Sequence, residues 1–89
     1  MKGLRLPDVV GKSCPSLQPG EYVKMLGLDT WYCCTPNGHI GNLKNHRVTE
    51  HEDGSITATP SILIQIAKSD GAVVELWHGY LELGLWRSC

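Results

Sequence analysis

The spacing of turn signals most constrains what this chain can fold into. Pro19-Gly20, Asn37-Gly38, Asp53-Gly54 and Asp70-Gly71 recur at near-regular intervals. Each pair favours a positive φ or a proline-set bend, which breaks an α-helix. No stretch of about ten residues between them carries apolar residues at helical period. The intervals suit short β-strands joined by hairpins. The expected fold is all-β, with at most minor α: a small single-domain antiparallel meander or sandwich of about six to eight short strands.

With 89 residues there is room for one domain and one modest core. Pro7, Pro15 and Pro19 with Gly3, Gly11 and Gly20 make residues 1–20 an irregular arm, leaving 21–89 as a single small β domain. Glu21 to Leu26 and Trp31 to Cys34 form an expected hairpin with a loop of about four residues. Residues His39 to Asn45 are polar and small, which predicts a loop. The clearest local signal is Asp53-Gly54 between His46–Glu52 and Ser55–Thr59. A two-residue loop there would oppose Glu50 to Thr57 and Val48 to Thr59. Pro60 should end that strand or force a bulge. Ile62-Leu63-Ile64-Gln65-Ile66 is the most apolar stretch and predicts a core strand paired with Ala72–Trp77. His78-Gly79 should interrupt the next strand, and Tyr80–Leu83 and Leu85–Arg87 flank Gly84.

Composition narrows function. Eight Lys and Arg against nine Asp and Glu give a net charge of −1. A chain so balanced lacks the basic footprint of a protein that binds nucleic acid through its phosphates. The longest run of large apolar residues, Ile62-Leu63-Ile64, is far too short to span a bilayer. The first ten residues hold no apolar core of a secretory leader. The expected location is therefore the reducing cytoplasm, where Cys14, Cys33, Cys34 and Cys89 stay free thiols.

Several groups of residues could carry chemistry. Cys34-Thr35-Pro36-Asn37-Gly38-His39 has the tight turn of half a zinc knuckle, with Asn37 where a second thiolate belongs. A zinc site from Cys34, His39 and His78 would need one further ligand. The plainer reading is a cysteine packed as a small hydrophobe and a histidine in a surface turn. Ser61, His78 and Asp53 have the residue types of a nucleophilic triad. No nucleophile elbow or glycine-rich oxyanion turn accompanies Ser61, so a hydroxyl capping a bend is the simpler role. Trp77-His78-Gly79-Tyr80 with Trp86 could line an aromatic surface for a planar ligand. In a chain without Phe the same residues could simply fill the core. Glu50, Glu52 and Asp53 beside His46 and His51 lack the alternating ligands of a calcium loop.

The string from His51 to Leu63, with Thr59-Pro60-Ser61-Ile62, followed by Trp77-His78-Gly79-Tyr80 and Gly84-Leu85-Trp86, resembles a family of uncharacterised small proteins from tailed phages and prophages. The likeness runs from about Trp31 to Arg87. Relatives carry a cysteine-rich turn ahead of the Pro-Ser-Ile strand, matched here by Cys33, Cys34 and His39. Asn37 departs from that pattern, because a thiol stands there in the cysteine-rich relatives. The resemblance implies a phage or prophage accessory protein acting in the host cytoplasm, with bound zinc in the cysteine-rich members.

The expected function is a non-catalytic binding module for a host protein or small ligand, contacting it through Ser61, Trp77, His78, Tyr80 and Trp86. The alternative is a zinc-binding, hydrolytic domain centred on Cys34, His39 and His78. A third expectation, compatible with either, is a homodimer formed through the edge hairpin 46–59.

Overall fold

The computed structural model describes all 89 residues and contains eight strands and no helix. The strands are β1 (Leu4–Arg5), β2 (Glu21–Met25), β3 (Thr30–Cys34), β4 (Ile40–Asn42), β5 (Arg47–Glu50), β6 (Ile56–Ala67), β7 (Val73–Glu82) and β8 (Leu85–Ser88). They form two four-stranded sheets, ordered β1-β2-β3-β4 and β5-β6-β7-β8. All pairings are antiparallel except β1 with β2. The all-β expectation holds, and no helix is long and apolar enough to cross a membrane.

Three hairpins share one loop design. Pro36-Asn37-Gly38, Glu52-Asp53-Gly54 and Ser69-Asp70-Gly71 each connect two strand ends, with the glycine at φ 92°, 86° and 86°. In each, the residue before the loop accepts a bond from the glycine N–H and donates to the residue after it, as in Gly54 N to His51 O (2.9 Å) and His51 N to Ser55 O (2.8 Å). This is a type I turn closed by a left-handed glycine, a loop of three residues. The expected two-residue loop at Asp53-Gly54 is thus corrected, and the register moves with it. Glu50 opposes Ile56 and Val48 opposes Ala58. Ile56 and Ala58 thereby share the inner face with Val48.

The core fills the space between the sheets. Tyr22, Trp31, Cys33 and Leu43 come from the first sheet and its following loop; Ile56, Ala58, Ile62, Trp77, Leu81 and Trp86 come from the second. A buried Ile or Leu of this kind contributes roughly 1.5–3 kcal/mol. The Trp86 indole N–H donates to Gly20 O at 3.0 Å, tying the second sheet to the start of β2.

The first five residues stitch the sheets together. Residues 1–3 run antiparallel beside β8, with Trp86 N donating to Met1 O (2.8 Å) and Gly3 N to Gly84 O (2.7 Å). Residues 4–5 then pair with β2. Further along, Val9 N donates to Lys24 O at the far end of β2, whereas Gln18 N donates to Glu21 Oε1 at its start. The intervening chain must travel back along the first sheet. Val23, Met25 and Cys34 point away from the core and are nonetheless buried, so this returning segment covers the sheet's outer face.

Four further expectations change. Residues 39–45, expected as a loop, hold β4, which Cys33 and Cys34 of β3 pair into the sheet. β6 continues through Pro60, past a cis Thr59–Pro60 bond, instead of ending there. β7 runs uninterrupted through His78-Gly79. The most apolar stretch is only partly core: Ile62 is 1% exposed, but Leu63 is 43% and Ile66 is 48%. The first sheet is too short to cover it. Beyond Ile62, β6 and β7 run on as a two-stranded ribbon, which leaves the core past Ile64 and its partner Trp77 and projects as an arm.

Candidate functional site

The outer face of the second sheet gathers the polar residues that the sequence singled out. Ala58 pairs with Leu81, and Ile62 with Gly79. β6 therefore carries two more residues than β7 between these pairs, taken up around Pro60. Past this irregularity Ile62 points inward, so Ser61 points outward. His78 opposes Leu63 and also points outward. Ser61 Oγ and His78 Nε2 share a hydrogen bond of 2.9 Å, whose direction depends on the imidazole tautomer. His78 Nδ1 lies 4.0 Å from Glu75 Oε1. A bulge at Leu76 puts Glu75 on the same face, because Ile64 opposes Trp77 while Gln65 opposes Glu75.

Beside this pair, Tyr80 opposes Arg87 of β8. The Arg87 guanidinium stacks over the Tyr80 ring, 4.6 Å from its centre, and Arg87 Nη2 donates to Glu82 Oε1 at 2.7 Å. Sequence reasoning missed Arg87 and Glu75. Strand alternation along β8 was a signal for Arg87 opposite Tyr80; alternation along β7 would have put Glu75 inward with Trp77, and only the Leu76 bulge brings it out.

Trp77 and Trp86 do not join this surface. Alternation turns them inward, where they stack edge to face at 5.4 Å and are 8% and 3% exposed. The proposed aromatic constellation thus divides: His78 and Tyr80 lie outside and the two tryptophans lie in the core.

The Ser61, His78 and Asp53 grouping also divides. Asp53 stays in its own turn, accepting from Ser55 N (2.9 Å) and Ser55 Oγ (2.6 Å), and these bonds hold its carboxyl below the usual range. Glu75 stands nearest to the orienting position. Ser61, His78 and Glu75 lie on an open sheet face and line none of the principal cavities.

The metal residues do not converge. Nowhere do three or more His, Cys, Asp or Glu side chains lie close enough together to hold an ion. Cys33 and Cys34 alternate to opposite faces of β3, and both are buried. Burial is the main reason the Cys33 thiol is pushed up to about 12, with the Cys34 thiol adding to it. His39 closes the Asn37 turn just ahead of β4, whereas His78 lies on the second sheet's outer face. These residues do not fit a zinc centre. The acidic group is also accounted for: Glu50 accepts from Lys24 (3.0 Å) and Arg5 (3.3 Å), and His51 bonds Thr57 Oγ1 at 2.7 Å.

The largest cavity is an open cleft of about 590 Å³ between residues 2–7 and the turns at Asp53–Ser55 and Leu83–Leu85. Its one guanidinium, Arg5, already donates to Gly54 O, Asp8 and Glu50 and lies over Trp31. Lys2 lines the same cleft and makes no ion pair, so it is the one cation there without a partner.

No family model matches this sequence, no curated protein shows significant similarity to it, and no solved structure matches its fold significantly.

Proposed function

We propose that this chain is a non-catalytic binding module that engages a protein through the outer face of its second sheet. The observation that carries this reading is the adjacency of two prepared groups on an open surface. One is the hydrogen-bonded Ser61–His78 pair and the other is the Arg87–Tyr80 stack. Tyr and Arg are the side chains most often found at the energetic centre of protein interfaces. Small ligands prefer concave pockets, and this face has none of the principal cavities. The resemblance to phage and prophage proteins favours an accessory role, with a protein of the host cytoplasm as the partner.

The test is affinity capture from host lysate with the full chain and two variants. Tyr80→Ala with Arg87→Glu should lose a stoichiometric partner that the parent protein retains. Lys44→Glu, an exposed change in the loop after β4, should keep it. Equal capture by all three proteins would place the contact elsewhere and defeat the reading.

A further inference from the structure

The projecting arm has two free edges, and they are unlike. β5 pairs with β6 only over residues 56–59, and β8 with β7 only over residues 79–82. Residues 62–67 and 73–77 therefore each leave one side of the backbone unpaired. An isolated two-stranded ribbon is marginally stable in water, and an open edge is a template for another strand.

The β7 edge carries the devices that block pairing. Glu75 is charged, Leu76 is bulged, and the Asn37 side-chain amide donates to Leu76 O at 3.0 Å. Self-pairing about its centre would also oppose Glu75 to Glu75. The β6 edge carries none of these over residues 62–67. From Ile56 through Ala67 no side chain is charged. At the root of the arm, His46 Nε2 donates to Ser61 O at 3.1 Å, which marks where the covered edge ends and the open one begins.

We propose that the open β6 edge pairs antiparallel with the same edge of a second copy, about a two-fold axis through Gln65. In this register Ile64 opposes Ile66 of the second copy, and Leu63 opposes its Ala67. Gln65 meets its own amide, which offers both a donor and an acceptor. Lys68 falls opposite Ile62, so no like charges meet. The isoleucines of both copies form one strip on the inner face, covering Ile66, which is 48% exposed in the single chain. The two arms together make a four-stranded sheet with an apolar face, the arrangement that a lone ribbon lacks. The contact is isologous and closes at two copies. It differs from pairing through the hairpin 46–59, and it stands independently of the partner proposed for the outer face.

Light scattering of the pure full chain across a concentration series tests this. The expected mass is about twice 9.8 kDa at high concentration. Ile66→Lys should give the monomer throughout that range, while Val73→Lys, on the other strand of the arm, should stay dimeric. Circular dichroism should show both variants folded. In a Cys14→Ser, Cys89→Ser background, Gln65→Cys should form a disulfide-linked dimer on mild oxidation and Val73→Cys should not. A monomer at every concentration, a dimer that survives Ile66→Lys, or masses growing beyond two copies would each overturn the proposal. So would a dimer in which Gln65→Cys fails to cross-link.

Discussion

Ile62 and Ile66 offer a controlled comparison. They are the same residue on the same face of β6, but Ile62 is 1% exposed and Ile66 is 48%. Truncating a fully buried isoleucine to alanine removes its transfer energy and leaves a cavity, about 2–5 kcal/mol in all. Ile62→Ala should therefore cost about 3 kcal/mol. Ile66→Ala removes the same atoms from a site half open to water and leaves no closed cavity, so it should cost about 1 kcal/mol or less. For a domain of this size each kcal/mol lowers Tm by about 4–8 °C. The first variant should melt roughly 12–24 °C below the parent, and the second less than about 8 °C below it. Urea and thermal unfolding followed by the fluorescence of buried Trp77 and Trp86 would measure both. The work belongs at a dilution where the mass is that of one chain, so that no second copy contributes. Comparable losses at the two positions would refute the reasoning, because they would require the arm to be packed along its whole length.

Three further outcomes follow from the geometry. The Cys33 thiol is raised from 9.0 to about 12 by burial, so the fold favours its neutral form. Its contribution is complete below pH 9 and is lost as pH rises from 9 to 12, by at most about 1.4 kcal/mol per pH unit. Denaturant titrations should show this alkaline decline, and Cys33→Ala should make it shallower, the remainder belonging to Cys34 and Tyr22, which burial also pushes up. Leu83, with Gly84, forms the two-residue β7–β8 turn at φ 50°, a conformation that suits Asn far better than Leu. Leu83→Asn should raise stability by about 0.5–1 kcal/mol in the same titration; an unchanged midpoint would contradict that. At Gly79 an added Cβ would meet the Arg87 carbonyl and the Trp77 ring. Gly79→Ala should lower Tm by at least about 10 °C, and a neutral result would mean that β8 yields easily.

Much of the fold was legible in local chemistry. The β2–β3 hairpin, the Asp53-Gly54 turn and the all-β class follow from turn residues and β-prone runs; β1 and β4 do not, and four expected runs merge into β6 and β7. The Asp53-Gly54 register did not, because a left-handed glycine serves two-residue and three-residue loops alike. What separates them is the His51–Ser55 pairing, which no dipeptide encodes. The apolar run 62–66 looked like core because local hydrophobicity reports how oily a strand is and not whether another layer covers it. The outer-face site was half legible. Ser61 and His78 do meet, but the carboxylate nearest them is Glu75, which the Leu76 bulge carries to their side. Trp77 and Trp86 were grouped with their sequence neighbours, although period-two alternation sends neighbours to opposite faces. Cys34, His39 and His78 shared ligand chemistry without sharing a place in the fold.

The stitch made by residues 1–5 also sets an order in time. A ribosome releases these residues long before Gly84 and Trp86, their partners in β8, exist. The compact loops at Asn37-Gly38, Asp53-Gly54 and Asp70-Gly71 close hairpins from neighbouring residues and can form as they emerge. The stitch itself cannot form until β8 has been made. Contacts of such long sequence separation slow folding. Through that wait the edges of β2 and β8 stay bare and open to pairing with other chains.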